Sequence, residues 1–421
     1  MFRIRQLFDD LLSGMVFRPL LITVLIVALA FGLVELEARG MLDSGGIWFL
    51  RNDPESATDV LDVISGSMMP VISIVYSVLL VALSMASMQF SPRVVGRFVR
   101  DRVSQRTLGV FIGTFLYSLI VMRSIRDEPP WTPTWAVGGA VVLGLACLVF
   151  LIYFIHHIAT GIQASNLVYQ IACETHLVIE RQLSRPTARE HAVPPSHGIA
   201  VEADADGYLQ LVDHAGLLAF ARQHGVIVFI ATVPGSFVAR GNVLARIAVR
   251  DAVERDALVR QCRRAFDLGP HRTMQQDVAF GFRQLVDIAL KAISPAVNDP
   301  TTACTCLDHL GSLLADVAHH HPGPRVLADG DVPRVVIPQR TFTELAKLAF
   351  NQIRQYGRTD LSVSIRILSA IRVAARAVDD PRVRSHLRRE AELVRDGLSP
   401  TFMADDRQRF DEHWAYCVPA V

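Results

Sequence analysis

Between Arg272 and Ala303 the chain gathers the polar side chains from which a binding site can be built. Three words stand out: Arg272-Thr-Met-Gln-Gln-Asp277, Phe280-Gly-Phe-Arg-Gln-Leu-Val-Asp287 and Ser294-Pro-Ala-Val-Asn-Asp-Pro-Thr-Thr-Ala303. Asp277, Arg283, Gln284, Asp287, Lys291, Asn298, Asp299, Thr301 and Asp308 bring carboxylates, cations, amides and hydroxyls, which suit a small molecule, an ion or a protein partner. The competing role is architectural. Pro295 and Pro300 stiffen a helix–turn–helix corner, and Asn298 and Asp299 can satisfy free amides at the next helix start. Arg283–Asp287 and Asp287–Lys291 have the i,i+4 spacing of surface ion pairs. The spacing favours the corner.

A second row of polar groups lies in an apolar stretch. At 100° per residue, Ser73, Ser77, Ser84, Ser87 and Ser91 share one side of a helix, with Leu80 between them. Hydroxyl residues in such a place serve close helix packing or line a watery path. Other chemistry finds little footing. The chain has no Walker loop, G-x-G-x-x-G, G-x-S-x-G or H-E-x-x-H. Cys304 and Cys306 form a C-x-C, which is not a zinc spacing, and His319-His-His321 lacks spaced Cys or acidic companions. No enzyme, cofactor or metal site is expected. Six scattered cysteines outline no disulfide framework, which suits a reducing compartment.

The elements that position these residues fall into two parts. Hydrophobic residues make up 51% of the 421, yet 20% are charged, so an apolar part is joined to an ordinary soluble one. No Asp, Glu, Lys or Arg occurs between Glu128 and Glu174. Four runs are long enough to cross a bilayer: about 17–36, 68–90, 107–123 and 135–158. None places a charged residue at mid-membrane, which gives no support to a proton relay. Gly109 and Gly113, and Ala140 and Gly144, form small-x-x-x-small pairs that read as packing faces. Arg93, Arg97, Arg100, Arg102 and Arg106 crowd the second loop, whereas Asp43, Asp53, Glu55, Asp59 and Asp62 fill the first. That bias puts the Arg-rich loop and both termini in the cytoplasm of a bacterial inner membrane. Ile4, Leu7, Phe8, Leu11, Leu12 and Met15 share a helical face suited to the inner leaflet. Net charge of +1 suggests no nucleic-acid partner.

Beyond the fourth run, Ile158, Ile162, Ser165, Tyr169, Ala172, His176, Ile179 and Leu183 recur in heptad-like steps that can pack between subunits. A Pro-rich break from 185 to 197 follows. Residues 198–250 read as a small β module, with strands at 208–213 and 226–233 around a helix from 214 to 224. Its segment Val233–Leu244 is similar to half of the barrel-sandwich repeat of biotinyl and lipoyl carriers, a likeness of fold only, because no Lys precedes Lys291. From 251 to 421 the pattern is helical: 251–266, 273–293, 301–319, 341–356, 360–378, 381–396 and 400–413. The expected architecture is thus a multi-pass α-helical membrane domain, 1–165, a juxtamembrane helix and linker, 166–197, and a cytoplasmic α+β region.

The three words quoted first, with Ser91-Pro92-Arg93 and Phe154-Ile-His-His-Ile158, resemble a family of predicted bacterial membrane proteins, domain of unknown function 2254. The resemblance implies a multi-pass inner-membrane protein and carries no activity with it. The residues themselves suggest a homo-oligomeric, channel-like protein for ions or small solutes, regulated by its cytoplasmic domain. Ser73, Ser77, Leu80, Ser84 and Ser87 would line the path. The alternative is a membrane-anchored sensor or scaffold whose cytoplasmic part binds a ligand or protein at the Asp277–Thr301 region.

Overall fold

The computed structural model describes residues 17–42, 54–89, 101–127, 130–161, 163–183, 198–249, 255–320 and 323–418. The face from Ile4 to Met15, the loop arginines 93, 97 and 100, Ser91, the Pro-rich break and the start of the 251–266 stretch lie outside them. Two compact units divide the chain after Gln163.

In the first unit, helices α1 (Phe17–Ala38), α2 (Pro54–Gln89), α3 (Arg102–Ser124) and α4 (Thr134–Gly161) are each long and apolar enough to cross a membrane. Two-residue strands β1 (Arg126–Asp127) and β2 (Pro130–Trp131) pair between α3 and α4. Helix α3 packs against the other three, and this explains why its apolar run is the shortest. Its Ser104, Gln105, Thr107, Thr114 and Ser118 are buried against protein instead of lipid. The small-residue pairs do pack: a Cβ on Gly109 would lie 2.9 Å from Pro19 Cα, and Gly113 faces Ile26 of α1. Helix α2 departs from the expected span. Glu55, Asp59 and Asp62, read as loop residues, lie in its opening turns behind Pro54, because Ala57 and Leu61 already bury one face there. Two contacts tie the ends of the unit. Glu37 at the end of α1 accepts from the Trp135 and Ala136 amides at 2.7 and 3.1 Å, capping α4 from another helix. Asp101 caps α3 at Ser104 and meets His157 Nε2 of α4 at 3.0 Å.

The second unit opens with α5 (Ala164–Gln182). Its strands are β3 (Ile199–Glu202), β4 (Gly207–Val212), β5 (Ile227–Ile230), β6 (Phe237–Val238), β7 (Val243–Ala248), β8 (Phe266–Gly269), β9 (Arg325–Asp329) and β10 (Val332–Ile337). They form a five-stranded sheet ordered β3-β7-β5-β10-β9 and a three-stranded sheet ordered β6-β4-β8. Among the described strands only β5 and β10 pair in parallel. Helices α6 (His214–His224) and α7 (Arg255–Arg263) cover them, closing a core of Val201, Leu209, Leu217, Val228, Leu244, Ile247 and Val335. The sheets therefore reach past residue 250: β8, β9 and β10 come from the stretch expected to be helical. The carrier-like segment Val233–Leu244 contributes β6 to one sheet and the start of β7 to the other.

The remaining helices are α8 (Val278–Ala292), α9 (Pro300–His320), α10 (Phe342–Gly357), α11 (Leu361–Arg376), α12 (Pro381–Asp396) and α13 (Ala404–Cys417). Side-chain caps mark most of their starts: Asp277, Asp360 and Asp380 accept amide hydrogens, and Thr341 with Glu344 forms a capping box. Helix α5 packs on α8 and α9. Ala172, Ile179 and Leu183 of the heptad-like seam are buried inside this unit, so its C-terminal half packs within the chain. Tyr169 alone among its large apolar members from 164 onward stays exposed.

Candidate functional site

Helix α8 carries the middle one of the three distinctive words, and the other two flank its ends. At its start, Asp277 is 3% exposed. Arg272 donates to Asp277 Oδ2 through Nε at 2.8 Å and Nη2 at 2.7 Å, while the Phe280 amide donates to Oδ1 at 3.1 Å. Burial pushes this carboxyl up from its usual range, against the pull of Arg272 and Arg340. Gly235, at φ 86°, is the residue that lets the β5–β6 turn approach Asp277 without a clash. Gln276 copies a strand neighbour: the Val212 amide donates to its Oε1 at 2.9 Å, and its Nε2 donates to the Val212 carbonyl at 3.0 Å.

The corner sits at the other end. Asn298 takes φ 51°, a left-handed conformation that Asn tolerates better than most residues. Amides of Val297 and Asn298 donate to the Ser294 carbonyl at 3.0 and 2.9 Å, and that of Asp299 to Ala292 at 2.8 Å. Asp299 then caps α9, accepting from the Thr302 hydroxyl and amide at 2.5 and 3.0 Å. Thr301 is exposed beside it. Along α8, Arg283 bridges Asp287 at 2.6 Å and Gln352 at 2.5 Å, and Gln284 is buried. Fifteen residues of helix separate Asp277 from the corner, about 22 Å at 1.5 Å per residue. The candidate residues therefore belong to two separate constructions.

Asp299→Ala is expected to cost about 0.5–2 kcal/mol, the usual loss for an N-cap. The Thr302 hydroxyl and amide hold the Asp299 carboxyl below the ordinary carboxylate range. A depressed folded-state pKa stabilises above the unfolded value, near 4, and that contribution fades as pH falls through the folded one. The gap between the melting curves of wild type and variant should therefore narrow as pH falls below about 4; a gap that does not narrow in acid would contradict the cap.

A cleft opens at the Asp277 end, where the sequence pattern points to Asp277 alone. This cleft of about 550 Å³, counting its open mouth, is lined by His214, Gln276, Asp277, Arg325, Gln339 and Arg340, with apolar walls from Leu183, Val233, Ile337 and Leu345. Hairpin register sets Arg325 opposite Ile337. Gln339 Nε2 donates to the Gln182 carbonyl at 2.6 Å, yet its Oε1 is buried without a partner, as are His214 Nε2 and Arg340 Nε. Arg325 and Arg340 make no ion pair among the described residues. Burial, and then the charge of Arg325, lowers the His214 pKa. No local pattern announces this convergence. It depends on strand pairing between distant segments.

On α2, Ser73, Ser77, Leu80 and Ser84 are exposed, and Val75 on the other side is buried. The hydroxyls of Ser73 and Ser77 donate to the Met69 and Ser73 carbonyls at 3.0 and 2.8 Å, leaving their lone pairs to accept. The side chain of Ser87 is not among those described. Among the described residues, no group of three or more His, Cys, Asp or Glu could hold a metal ion. His320 at the end of α9 bonds the Asp316 carbonyl at 2.9 Å.

No solved structure matches the chain. It is similar to the uncharacterised protein Rv1290c of Mycobacterium tuberculosis (strain ATCC 25618 / H37Rv) and to Mb1321c of Mycobacterium bovis. In each case 31% of residues are identical over 362, covering 82% of this chain and 68% of the relative. The family model described as "Predicted membrane protein (DUF2254)" matches residues 13–373, taking in α1 to α4, the Asp277 cap, the Asn298 corner and the cleft. The chain belongs to this family of predicted membrane proteins.

Proposed function

We propose that this protein is a channel-like homo-oligomer of the bacterial inner membrane, passing ions or small solutes between subunits under control of its second, cytoplasmic unit. The supporting observation is the outward-facing row Ser73, Ser77 and Ser84 on α2, with Leu80 in its middle. Among the described residues the interior between the four helices is filled and offers no competing route. Phe111, Tyr117 and Phe154 are essentially unexposed there, and α1 and α3 meet at the Gly109 backbone. A path must then run along an outer face, and α2 supplies one with hydroxyls across the span. Serine lone pairs accept hydrogen bonds from water without binding ions tightly, and a ring of Leu80 side chains would gate by excluding water.

Single cysteines test this. Those at Ser73, Ser77 and Ser84 should react with aqueous thiol reagents, those at Val75 should not, and Leu80→Ser should raise leak through reconstituted bilayers. Equal protection of both faces, with silent bilayers for wild type and Leu80→Ser, would contradict conduction. A second reading, a membrane-anchored sensor, draws support from the cleft, whose two unpaired arginines serve no structural bond among the described residues.

A further inference from the structure

We infer that the cleft beside Asp277 is a binding site for a dianionic head group of the phosphate monoester class. The inference deepens the sensor reading and does not depend on conduction. Charge comes first. Arg272 is matched by Asp277 at 2.7 Å, and Asp213 is occupied in capping α6, its Oδ1 accepting from the Gly216 amide at 2.9 Å. Arg325 and Arg340 remain: neither makes an ion pair among the described residues, and Asp277, which feels the charge of Arg340, is already held by Arg272. Leaving cations together in a partly enclosed cleft is unfavourable unless an anion from outside completes the set. Two planar forks offer the paired donors that bind a tetrahedral oxyanion best.

Other groups narrow the class. Val278 and Ala279, the opening residues of α8, line the cleft, so a helix N-terminus adds its partial positive charge. The buried, unpartnered Oε1 of Gln339 accepts only, and wants a donor such as a hydroxyl on the same ligand. His214 Nε2, also buried and unpartnered, can donate to an oxygen in one tautomer. Leu183, Val233, Ile337 and Leu345 would cover a short apolar stem. A hydroxyl-bearing organic phosphate fits all three demands, whereas inorganic phosphate meets only the charge. The same chemistry could come from a soluble metabolite or from a lipid head group.

The full chain in detergent is titrated calorimetrically with inorganic phosphate and with glycerol 3-phosphate at 0.15 M salt. In parallel, its melting is followed in nanodiscs of phosphatidylcholine with and without phosphatidic acid. Saturable binding of glycerol 3-phosphate, tighter than of inorganic phosphate and weakened tenfold or more by Arg325→Gln and by Arg340→Gln, would assign a soluble ligand. Stabilisation by phosphatidic acid alone, lost in both variants, would assign a lipid head group. Arg222→Gln is the control, since Arg222 pairs with Asp329 at 3.0 Å on the surface. If a variant fails to fold, protection of Arg340 in wild type from phenylglyoxal, read by mass spectrometry with and without glycerol 3-phosphate, gives the same answer. No saturable binding and no lipid effect, or affinities unchanged in both arginine variants, would overturn the site. Silent bilayers leave it standing, so its failure and that of the channel proposal are separately visible.

Discussion

Asp277→Ala should destabilise the second unit by about 3 kcal/mol, the lower end of the loss when one member of a buried ion pair is removed. Three things go together. Arg272, whose side chain is 20% exposed, is left without its carboxylate. The Phe280 amide loses its cap, and Gly235 is left facing a void. Asp277→Asn separates these effects. It keeps the acceptor and the shape, and burial already pushes the Asp277 carboxyl toward its neutral form. A raised folded-state pKa contributes stability below the unfolded value, near 4, that is lost as pH rises through the folded one. At pH 7 the Asn variant should therefore lose far less than the Ala variant. Trp414 lies in this unit, so a chain with the other three tryptophans changed to Phe reports its unfolding alone. Equal stability of wild type and Asp277→Ala would show that the Arg272–Asp277 pair holds nothing together.

Gly311→Val should be nearly as damaging, again by about 3 kcal/mol, through overpacking. Helices α9 and α11 cross at this residue. A Cβ on Gly311 would stand 2.9 Å from Ala370 Cα and 3.0 Å from the Ala370 carbonyl oxygen. Both are backbone atoms, so no rotamer change relieves the contact and the helices must part. Their separation would loosen Leu307, Leu310 and Leu314 against Ile367 and Ile371, all essentially unexposed. Gly311→Ala should cost less, because the better helix propensity of Ala returns about 1 kcal/mol. Ala370→Gly should rescue little, since the nearest obstacle is main chain. Hydrogen exchange along α9 and α11 in the full-length protein would read the effect. Unchanged protection in Gly311→Val would refute the close crossing.

Local signals were legible where one segment decides the outcome. Asp299-Pro300 announces the start of α9, Thr341 with Glu344 that of α10, and Asp380-Pro381 that of α12, because a cap and its helix are neighbours in sequence. The four apolar runs were legible for the same reason, although α2 began earlier than hydropathy indicated. Its opening turns bury Ala57 and Leu61 on one side and turn Glu55 and Asp59 outward, a periodic pattern that acidic loop counting overlooks. What was hidden is set by long-range pairing. Gln276 reaches Val212 across 64 residues. Arg325, Arg340 and His214 meet only because β10 pairs in parallel with β5 and antiparallel with β9. The heptad-like seam of α5 misled for a related reason: periodicity reports that a face is buried, not which surface buries it.

The central claim, that α2 faces a shared axis between subunits, is tested most directly by electron-microscopic imaging of the intact protein in detergent. The account predicts a closed ring of subunits with α2 nearest the axis, Ser73, Ser77 and Ser84 toward an opening and Leu80 at its narrowest point. A monomer, or a ring whose axis is lined by another helix with the Ser77 face turned to lipid, would contradict it.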